Sequence, residues 1–248
     1  MSAIYVFWLR QLKRYYRSKA RMIGALGQPV LFLLALGFGF GPVFEKAGAG
    51  NYLEFLTPGI IAMSILFTAT FSGIEVIWDK QFGFLKETLV APVSRLEIML
   101  GRTLGGATVA SIQGIIVLII ASLAGFTIQN WSMLPLAFVF MFLIAVLFTA
   151  LGTALASVLD DMQGFQLIIN FLIMPLFFLS GALFPLDTAP GILGTLASLN
   201  PLSYGVDGLR YALIGVSHLG VFTDLAILGT VTLIFLGIGS YLFSKIQI

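Results

Sequence analysis

Residues 103–159 read TLGGATVASIQGIIVLIIASLAGFTIQNWSMLPLAFVFMFLIAVLFTALGTALASVL, and these 57 residues include no charged side chain. As one continuous helix the stretch would extend about 85 Å, whereas the hydrocarbon core of a bilayer is about 30 Å thick. It must therefore cross a membrane, turn and return. In the whole chain of 248 residues, 59% are hydrophobic and 10% are charged. This composition excludes an ordinary water-soluble domain, in which about a quarter of residues are charged.

Six apolar runs of about 20 residues, uncharged except for Glu75 near the end of the second, are predicted to be membrane-spanning helices. Helices are favoured over a membrane β-barrel because the runs lack alternating polarity and satisfy their backbone hydrogen bonds internally. The second run opens with Thr57-Pro58, which is typical of a helix N-terminus. Ser94 and Glu97 have the spacing of a capping box ahead of the third run. The expected fold is an all-α membrane protein with a single transmembrane domain over 1–248 and spans at 22–43, 57–78, 103–128, 135–158, 164–184 and 225–244.

The distribution of Lys and Arg indicates the orientation of these spans, because cytoplasmic loops retain positive charge. With both termini in the cytoplasm, only Lys46 and Arg210 lie outside. A cleaved signal peptide ending near residues 47–49 is the alternative, but the apolar run before it exceeds the usual ~7–15 residues. The eleven basic residues on the inner side are Arg10, Lys13, Arg14, Arg17, Lys19, Arg21, Lys80, Lys86, Arg95, Arg102 and Lys245.

Residues 3–21 form an amphipathic pattern when they are placed on a helical wheel. Aromatic and aliphatic side chains occupy one side, and Lys19 departs from the pattern. We expect an N-terminal interfacial helix on the membrane surface, its arginines directed toward anionic phosphates or a cytoplasmic protein. Simple anchoring by positive charge is the alternative. The basic arc contains Arg10, Arg14, Arg17 and Arg21.

Residues 185–224 are apolar but are interrupted by proline at three positions. Two short half-helices over 189–215, the first capped by Thr188 and the second by Asn200, fit this pattern better than one span. We expect them to form a paired re-entrant element between the fifth and sixth spans, with Asn200 partway into the membrane. Asp207 and Arg210 are spaced i, i+3 and are predicted to form a structural pair. A direct role in substrate binding is the alternative.

Residues 80–92 form the main charged loop after the N-terminus and are predicted to be a short cytoplasmic helix stopped by proline. Its side chains are apolar in the middle and polar at the rim, as in a protein docking site. Contact with the membrane surface is the alternative. The residues assigned to docking are Phe84, Leu85, Lys86, Glu87, Thr88, Leu89, Val90 and Pro92.

Two motifs resemble the permease subunits of type-two ATP-binding-cassette (ABC) exporters, the type V exporter fold, in its drug-resistance-like branch. LKETLVAPVSR at 85–95 is similar to the segment between the second and third helices, whose coupling helix sits in a groove of the ATPase. SGALFPL at 180–186, followed by LNPLSYGVDGLR at 199–210, is similar to the family signature after the fifth helix. With the interfacial helix and the six-span layout, the resemblance covers essentially the whole chain.

The resemblance implies a non-catalytic permease in a prokaryotic cytoplasmic (inner) membrane. It implies a homodimer, or a heterodimer with a related permease, associated with two copies of an ABC ATPase subunit that bind ATP and Mg. Arg10, Arg14 and Arg17 would give this ATPase a second contact. The sequence contains no G-x-x-x-x-G-K-[ST] phosphate loop, so no cofactor is expected in this chain. It has no cysteine and one histidine, so no metal cluster is expected, and its charge of +2 suggests no nucleic-acid partner.

Polar residues of the predicted fifth span indicate a substrate path. Gln163, Gln166 and Asn170 share about one face, and they would line a pore or hydrogen-bond a neighbouring helix. Aromatic residues nearby suit an amphiphilic substrate, although lipid contact explains them equally well. The path and gate are predicted to comprise Gln163, Gln166, Asn170, Phe171, Phe178, Asn200 and Tyr204.

The preferred function is ATP-driven export of a lipophilic or amphiphilic, drug-like compound from the cytoplasm or the inner leaflet. Export of lipid-linked polysaccharide is the alternative within the same architecture. An ATP-independent channel or secondary carrier is disfavoured because the spans carry no charge near the midplane, Glu75 being expected to reach outward from the end of its helix. A membrane-embedded enzyme would need a convergent nucleophile, base or metal constellation, and the sequence indicates none.

Overall fold

The computed structural model describes residues 2–46, 50–90, 92–185 and 191–246, and these residues form α-helices and no strand. A short 3₁₀ turn at Trp131–Met133 precedes the seventh helix. The helices are α1 Ala3–Arg17, α2 Lys19–Lys46, α3 Tyr52–Phe71, α4 Ile74–Gln81, α5 Phe84–Val90, α6 Arg95–Leu123, α7 Leu134–Val158, α8 Met162–Phe178, α9 Gly191–Leu199, α10 Pro201–Ile214 and α11 Val221–Ser244.

The long helices run alternately between two ends of one bundle. At the first end, which we call the basic end, α5 and the start of α6 lie beside the end of α11, where Arg95 donates to the carbonyl of Ile246 at 3.0 Å. At the opposite end the start of α3 lies beside the chain after α8, because Tyr52 donates to the carbonyl of Leu183 at 2.9 Å. Most of the basic residues are therefore gathered at one end of the bundle.

Within the residues that the structure describes, five helical stretches are long and apolar enough to cross a membrane. The helix at the predicted fifth span, α8, has 17 residues and ends at Phe178 instead of 184. It ends early because other groups bind the carbonyls there: Asn200 donates to Leu176 at 2.6 Å and Arg210 to Gly181 at 2.9 Å. The count of six spans thus remains a prediction. The five stretches are Lys19–Lys46, Tyr52–Gln81, Arg95–Leu123, Trp131–Val158 and Val221–Ser244.

The predicted start of the second span at Thr57 is wrong. Asn51 caps α3, since its side chain accepts a hydrogen bond from the Leu53 N–H at 3.0 Å. Thr57 lies one turn inside the helix, and its hydroxyl donates to the Leu53 carbonyl at 2.7 Å. A threonine side chain can hydrogen-bond the backbone both at an N-cap and inside a helix. Thr57 beside proline therefore did not mark the start of the helix.

The N-terminal helix is shorter than the predicted 3–21 and packs along α6. It ends at Ser18, so that Lys19 belongs to α2, which explains why Lys19 departs from the amphipathic pattern. Gly101 and Gly105 of α6 allow the contact, because a Cβ on either glycine would overlap atoms of α1. The capping box predicted at Ser94 is confirmed, and α6 starts at Arg95.

The backbones of α3 and α7 touch at one crossing. A Cβ on Gly152 would overlap the carbonyl oxygen of Thr70, and a Cβ on Gly73 would overlap the carbonyl of Gly152. Only glycine permits this separation. Around the crossing lie fully buried side chains that include Ile65 and Phe148. This contact fixes the centre of the bundle.

The pair α9 and α10 meets at Asn200 and Pro201, as predicted. Gly205 faces Ile144 and Gly208 faces Phe140, so α10 runs opposite to α7 and its first residues lie deepest in the bundle. Gly215 ends α10 with a φ of 77°. Re-entry of this pair into a membrane remains a prediction, and Thr188 lies outside the described residues.

Candidate functional site

The helix α5 forms an exposed surface at the basic end. Gly83, with a φ of 78°, turns the chain between α4 and α5, a conformation that glycine adopts without strain. Phe84 is 53% and Val90 is 84% exposed. Leu85 is only 2% exposed, so its assignment to docking is wrong: the side chain packs in the core. Of the other residues assigned to docking, Lys86, Glu87 and Pro92 are exposed, and Thr88 and Leu89 are half-buried.

Two aromatic side chains of the preceding segment extend this surface. Trp78 and Phe82 are exposed, and their rings stack with centroids 5.2 Å apart. Trp78 is the last residue of the predicted second span and was not among the residues predicted to dock. The i, i+4 spacing of two aromatic residues beside the charged loop was the available signal. We call Trp78, Phe82, Phe84, Glu87 and Val90 the coupling surface.

A cluster of charged residues built around two buried carboxylates lies behind the coupling surface. Asp79, which is 2% exposed, accepts hydrogen bonds from the guanidinium groups of Arg10 and Arg102. Glu75 lies one turn earlier on α4 and pairs with Arg14 at 3.5 Å and Arg21 at 2.6 Å. We call these six residues the charge cluster. It joins α4 to α1, α2 and α6.

Two expectations change with this cluster. Glu75 does not reach outward from its helix, because it is 5% exposed and held by two arginines. Arg10 and Arg14 are engaged within the chain, whereas Arg17 is exposed. Contact of these arginines with an ATPase remains a prediction. The wheel pattern showed a basic face but could not show that carboxylates more than 50 positions away would meet it.

The charge cluster is positive overall. It has four guanidinium groups and two carboxylates, which leaves an excess of two positive charges. Arg102 is 4% exposed, and its Nε and Nη1 atoms have no hydrogen-bond partner in the described part of the chain. Beside the cluster, the Tyr15 hydroxyl donates to Gln113, and burial raises the pKa of this phenol, which keeps it a donor.

A second connection links the coupling surface to α7 and α8. The Lys80 ammonium donates to the carbonyls of Ser157 at 2.8 Å and Leu159 at 3.2 Å, and it pairs with Asp160 at 3.0 Å. Gln81 donates to the carbonyl of Asp160 at 2.9 Å. Lys80 therefore caps the C-terminus of α7 and fixes the short loop that starts α8.

The α8 face predicted to line a path is exposed on this chain. Gln163, Gln166 and Asn170 are exposed, and none makes a side-chain hydrogen bond to another described residue. Phe171 is 84% exposed and Phe178 is also exposed. The alternative in which the amides bond a neighbouring helix of the same chain is thus not observed. We call these five residues the α8 face.

The other two predicted path residues are structural. Asn200 is buried, accepts from the Leu202 N–H at 3.0 Å and donates to the Leu176 carbonyl. Tyr204 is buried and its hydroxyl donates to the Ser198 carbonyl at 2.7 Å. Their polar groups are occupied in holding α8, α9 and α10 together. Their assignment to the substrate path is therefore corrected.

The predicted pair of Asp207 and Arg210 is also wrong. Asp207 accepts from the N–H groups of His218 and Leu219 and from the Ser217 hydroxyl at 2.9 Å. Arg210 donates to Gly181 and lies over the Phe55 ring at 4.2 Å from its centroid. Both side chains line the same cavity, but they bind different partners.

Buried carboxyl groups occur near the ends of the apolar helical stretches. Besides Glu75 and Asp79, Asp224 is fully buried in the first turn of α11, which starts four residues before the predicted 225. None of the three lies near the middle of its stretch, so the expectation that the spans carry no charge near the midplane is unchanged. Among the described residues, no group of three or more His, Asp or Glu side chains is placed to hold a metal ion.

Comparisons with known proteins identify the family of this arrangement. The chain is 30% identical over 215 residues to a putative transport permease, ycf38, of Cyanophora paradoxa, covering 84% of this chain and 73% of that protein. It is 30% identical over 215 residues to nodulation protein J of Rhizobium leguminosarum bv. trifolii, covering 84% of this chain and 81% of that protein. It is 27% identical over 232 residues to the inner membrane transport permease YadH of Escherichia coli (strain K12), covering 91% and 88%. Residues 2–214 match the family described as ABC-2 type transporter, and the chain belongs to that family of membrane permeases.

Proposed function

We propose that this chain is the permease subunit of an ATP-driven exporter and moves a lipophilic or amphiphilic compound out of the cytoplasm or the inner leaflet. The family membership supports an ABC permease that associates with an ABC ATPase subunit. The observation that carries the assignment is the coupling surface, where Trp78, Phe84 and Val90 expose apolar area at the basic end. Aromatic residues inside a polar rim are typical of protein interfaces. Two ATPase copies would bind ATP and Mg.

The contacts behind the coupling surface supply two routes for movement. A push on α5 would displace α4, and the charge cluster would transmit this to α1 and α6. Lys80 and Gln81 would transmit it to α7 and α8. Because charged hydrogen bonds are stronger than neutral ones, both routes are stiff connections.

A second copy of the chain would complete the path. Amide groups in a membrane need hydrogen-bond partners or water, and the α8 face offers three that bond no other described residue. We propose a homodimer, related by a two-fold axis, that brings the two α8 faces together. Because the sequence has no cysteine, a Phe171→Cys variant should form a disulfide-linked dimer on oxidation. Absence of that dimer would contradict the arrangement.

The docking assignment is tested by placing charge on the coupling surface. In the double variant Phe84→Asp and Val90→Asp, we expect the ATPase encoded with this permease to co-purify at a tenth of the normal yield or less, because two buried apolar contacts of an interface are lost. Leu96→Asp is the matched control, since Leu96 is exposed at the same end but lies in the first turn of α6. Equal co-purification of all three proteins would refute the proposal.

A further inference from the structure

A cavity of about 370 Å³ lies at the basic end between α2 and the last turn of α3. Its walls are largely apolar, with Ala25 and Pro29 on one side and Phe67 and Phe71 on the other. Its volume would hold roughly a dozen methylene groups, if each takes about 30 Å³, the share of a molecule in liquid water. The space therefore suits one hydrocarbon chain.

Arg21 stands at one end of this cavity. Eight residues separate Arg21 from Pro29, so the apolar part extends about 12 Å along α2 from the guanidinium group. Arg21 uses Nη1 to bind Glu75, and its side chain is 36% exposed. A guanidinium group has five N–H donors, so others remain for an anion. The charge cluster, of which Arg21 is a member, has two more positive than negative charges, which favours an anion over a neutral or cationic group.

We propose that this cavity binds one acyl chain of an anionic membrane lipid, with the lipid headgroup on Arg21. The arrangement of the site matches that of the lipid. The cationic Arg21 at the end of α2 would face the anionic headgroup, and the apolar walls farther along α2 would surround the acyl chain. A bound lipid would fill the gap between α2 and α3 and would neutralise part of the excess charge beside α4. Through this site, the lipid composition of the membrane would influence α4, the helix that carries part of the coupling surface.

Two glycines of α2 provide a matched test. A Cβ on Gly24, which lines the cavity, would meet no atom within 4 Å, and the same holds for Gly27, which is not part of the lining. Gly24→Leu should fill the cavity, whereas Gly27→Leu should leave it open. Both changes favour the helix, because leucine has a higher helix propensity than glycine, so neither should lower the unfolding temperature.

Native mass spectrometry of the permease alone, equilibrated with equal amounts of phosphatidylglycerol and phosphatidylcholine, measures the retained lipid. We expect wild type and Gly27→Leu to retain phosphatidylglycerol in about fivefold preference, the ratio that one arginine near an anionic surface provides. Gly24→Leu should lose most of this lipid. Arg21→Gln should retain both lipids about equally.

Three results would overturn the proposal: equal retention of both lipids by wild type, unchanged retention in Gly24→Leu, or no retained lipid at all. The measurement needs no ATPase. A failure of ATPase docking and a failure of lipid binding are therefore distinguished by separate experiments.

Discussion

Two residues of the charge cluster, Asp79 and Arg102, carry charges that are buried away from water. Asp79 is the only carboxylate that pairs with Arg102 among the described residues, whereas Asp79 is also bound by Arg10. A buried ion pair contributes little relative to apolar residues of the same size, but the loss of one partner is costly because the other charge stays buried. The effect of a substitution here should therefore depend strongly on which partner is changed and on how exposed it is.

We expect Asp79→Asn to lower the free energy of unfolding by about 3–5 kcal/mol, since it leaves Arg102 buried without a carboxylate. Asp160→Asn removes a carboxylate from an exposed pair with Lys80 and should change the stability by about 1 kcal/mol or less. Denaturant unfolding in detergent micelles measures both. Similar losses in the two variants would show that burial does not set the importance of Asp79.

The roles of individual residues were the hardest part to predict from sequence. Helix periodicity correctly placed the arginines of α1 on one face, but the partners Glu75 and Asp79 lie on another helix. Asn200 and Tyr204 were assigned to the path because their residue types can bind a substrate. The structure shows that backbone carbonyls of α8 and α9 occupy them. Such long-range partners leave no periodic signal in a single sequence.

Lys80 connects α4 to the end of α7 and to the short loop before α8. Lys80→Met removes the ammonium group that caps α7, while keeping a long apolar side chain. We expect the complex with its ATPase to form normally and to hydrolyse ATP, but to transport at least about tenfold less substrate per ATP, because only Gln81 then holds the loop before α8 to α4. Transport per ATP hydrolysed in proteoliposomes is the measurement.

Lys80→Arg is the control for this experiment. Arginine keeps a positive charge and donor groups near the Ser157 and Leu159 carbonyls, so this variant should transport nearly as much substrate per ATP hydrolysed as wild type. A Lys80→Met complex with an unchanged ratio of transport to hydrolysis would show that this contact is structural only. A complex that fails to assemble would show instead that Lys80 supports docking.

The crossing of α3 and α7 gives a second prediction for elements. Gly152→Ala places a methyl group against the Thr70 carbonyl, and the helices must separate. We expect a lower unfolding temperature and a loss of about 1–3 kcal/mol, typical of overpacking. Gly27→Ala, which meets no neighbour, should instead raise stability by about 0.5–1 kcal/mol. A stable Gly152→Ala protein would mean that the crossing can widen freely.

Most helices could be predicted, because long apolar runs and caps leave strong local signals. The capping box at Ser94 and the break at Asn200-Pro201 were located correctly. Helix ends that depend on tertiary contacts were not predicted correctly. The helix at the fifth predicted span ends at Phe178, where Asn200, the N-cap of α10, binds the Leu176 carbonyl, and α1 and α2 divide at Ser18 without proline or glycine.

For the molecule as a whole, the two ends of the bundle differ in charge, and this predicts their placement across the membrane. Val90 and Val216 are both exposed, the first at the basic end and the second after α10 at the opposite end. The sequence has no cysteine, so single variants Val90→Cys and Val216→Cys each carry one thiol. An impermeant maleimide should label Val216→Cys in intact cells and Val90→Cys only after permeabilisation. The reverse pattern would invert the proposed orientation.

The limited length of α8 has a consequence for the surrounding bilayer. A helix of 17 residues extends about 25 Å, some 5 Å less than a typical hydrocarbon core. Hydrophobic mismatch of this kind is relieved when lipids thin beside the short segment or when the helix ends draw in water. In the proposed dimer, the polar part of a compound that moves along Phe171 and Asn170 between the two α8 helices would thus have a shorter distance to travel without hydration.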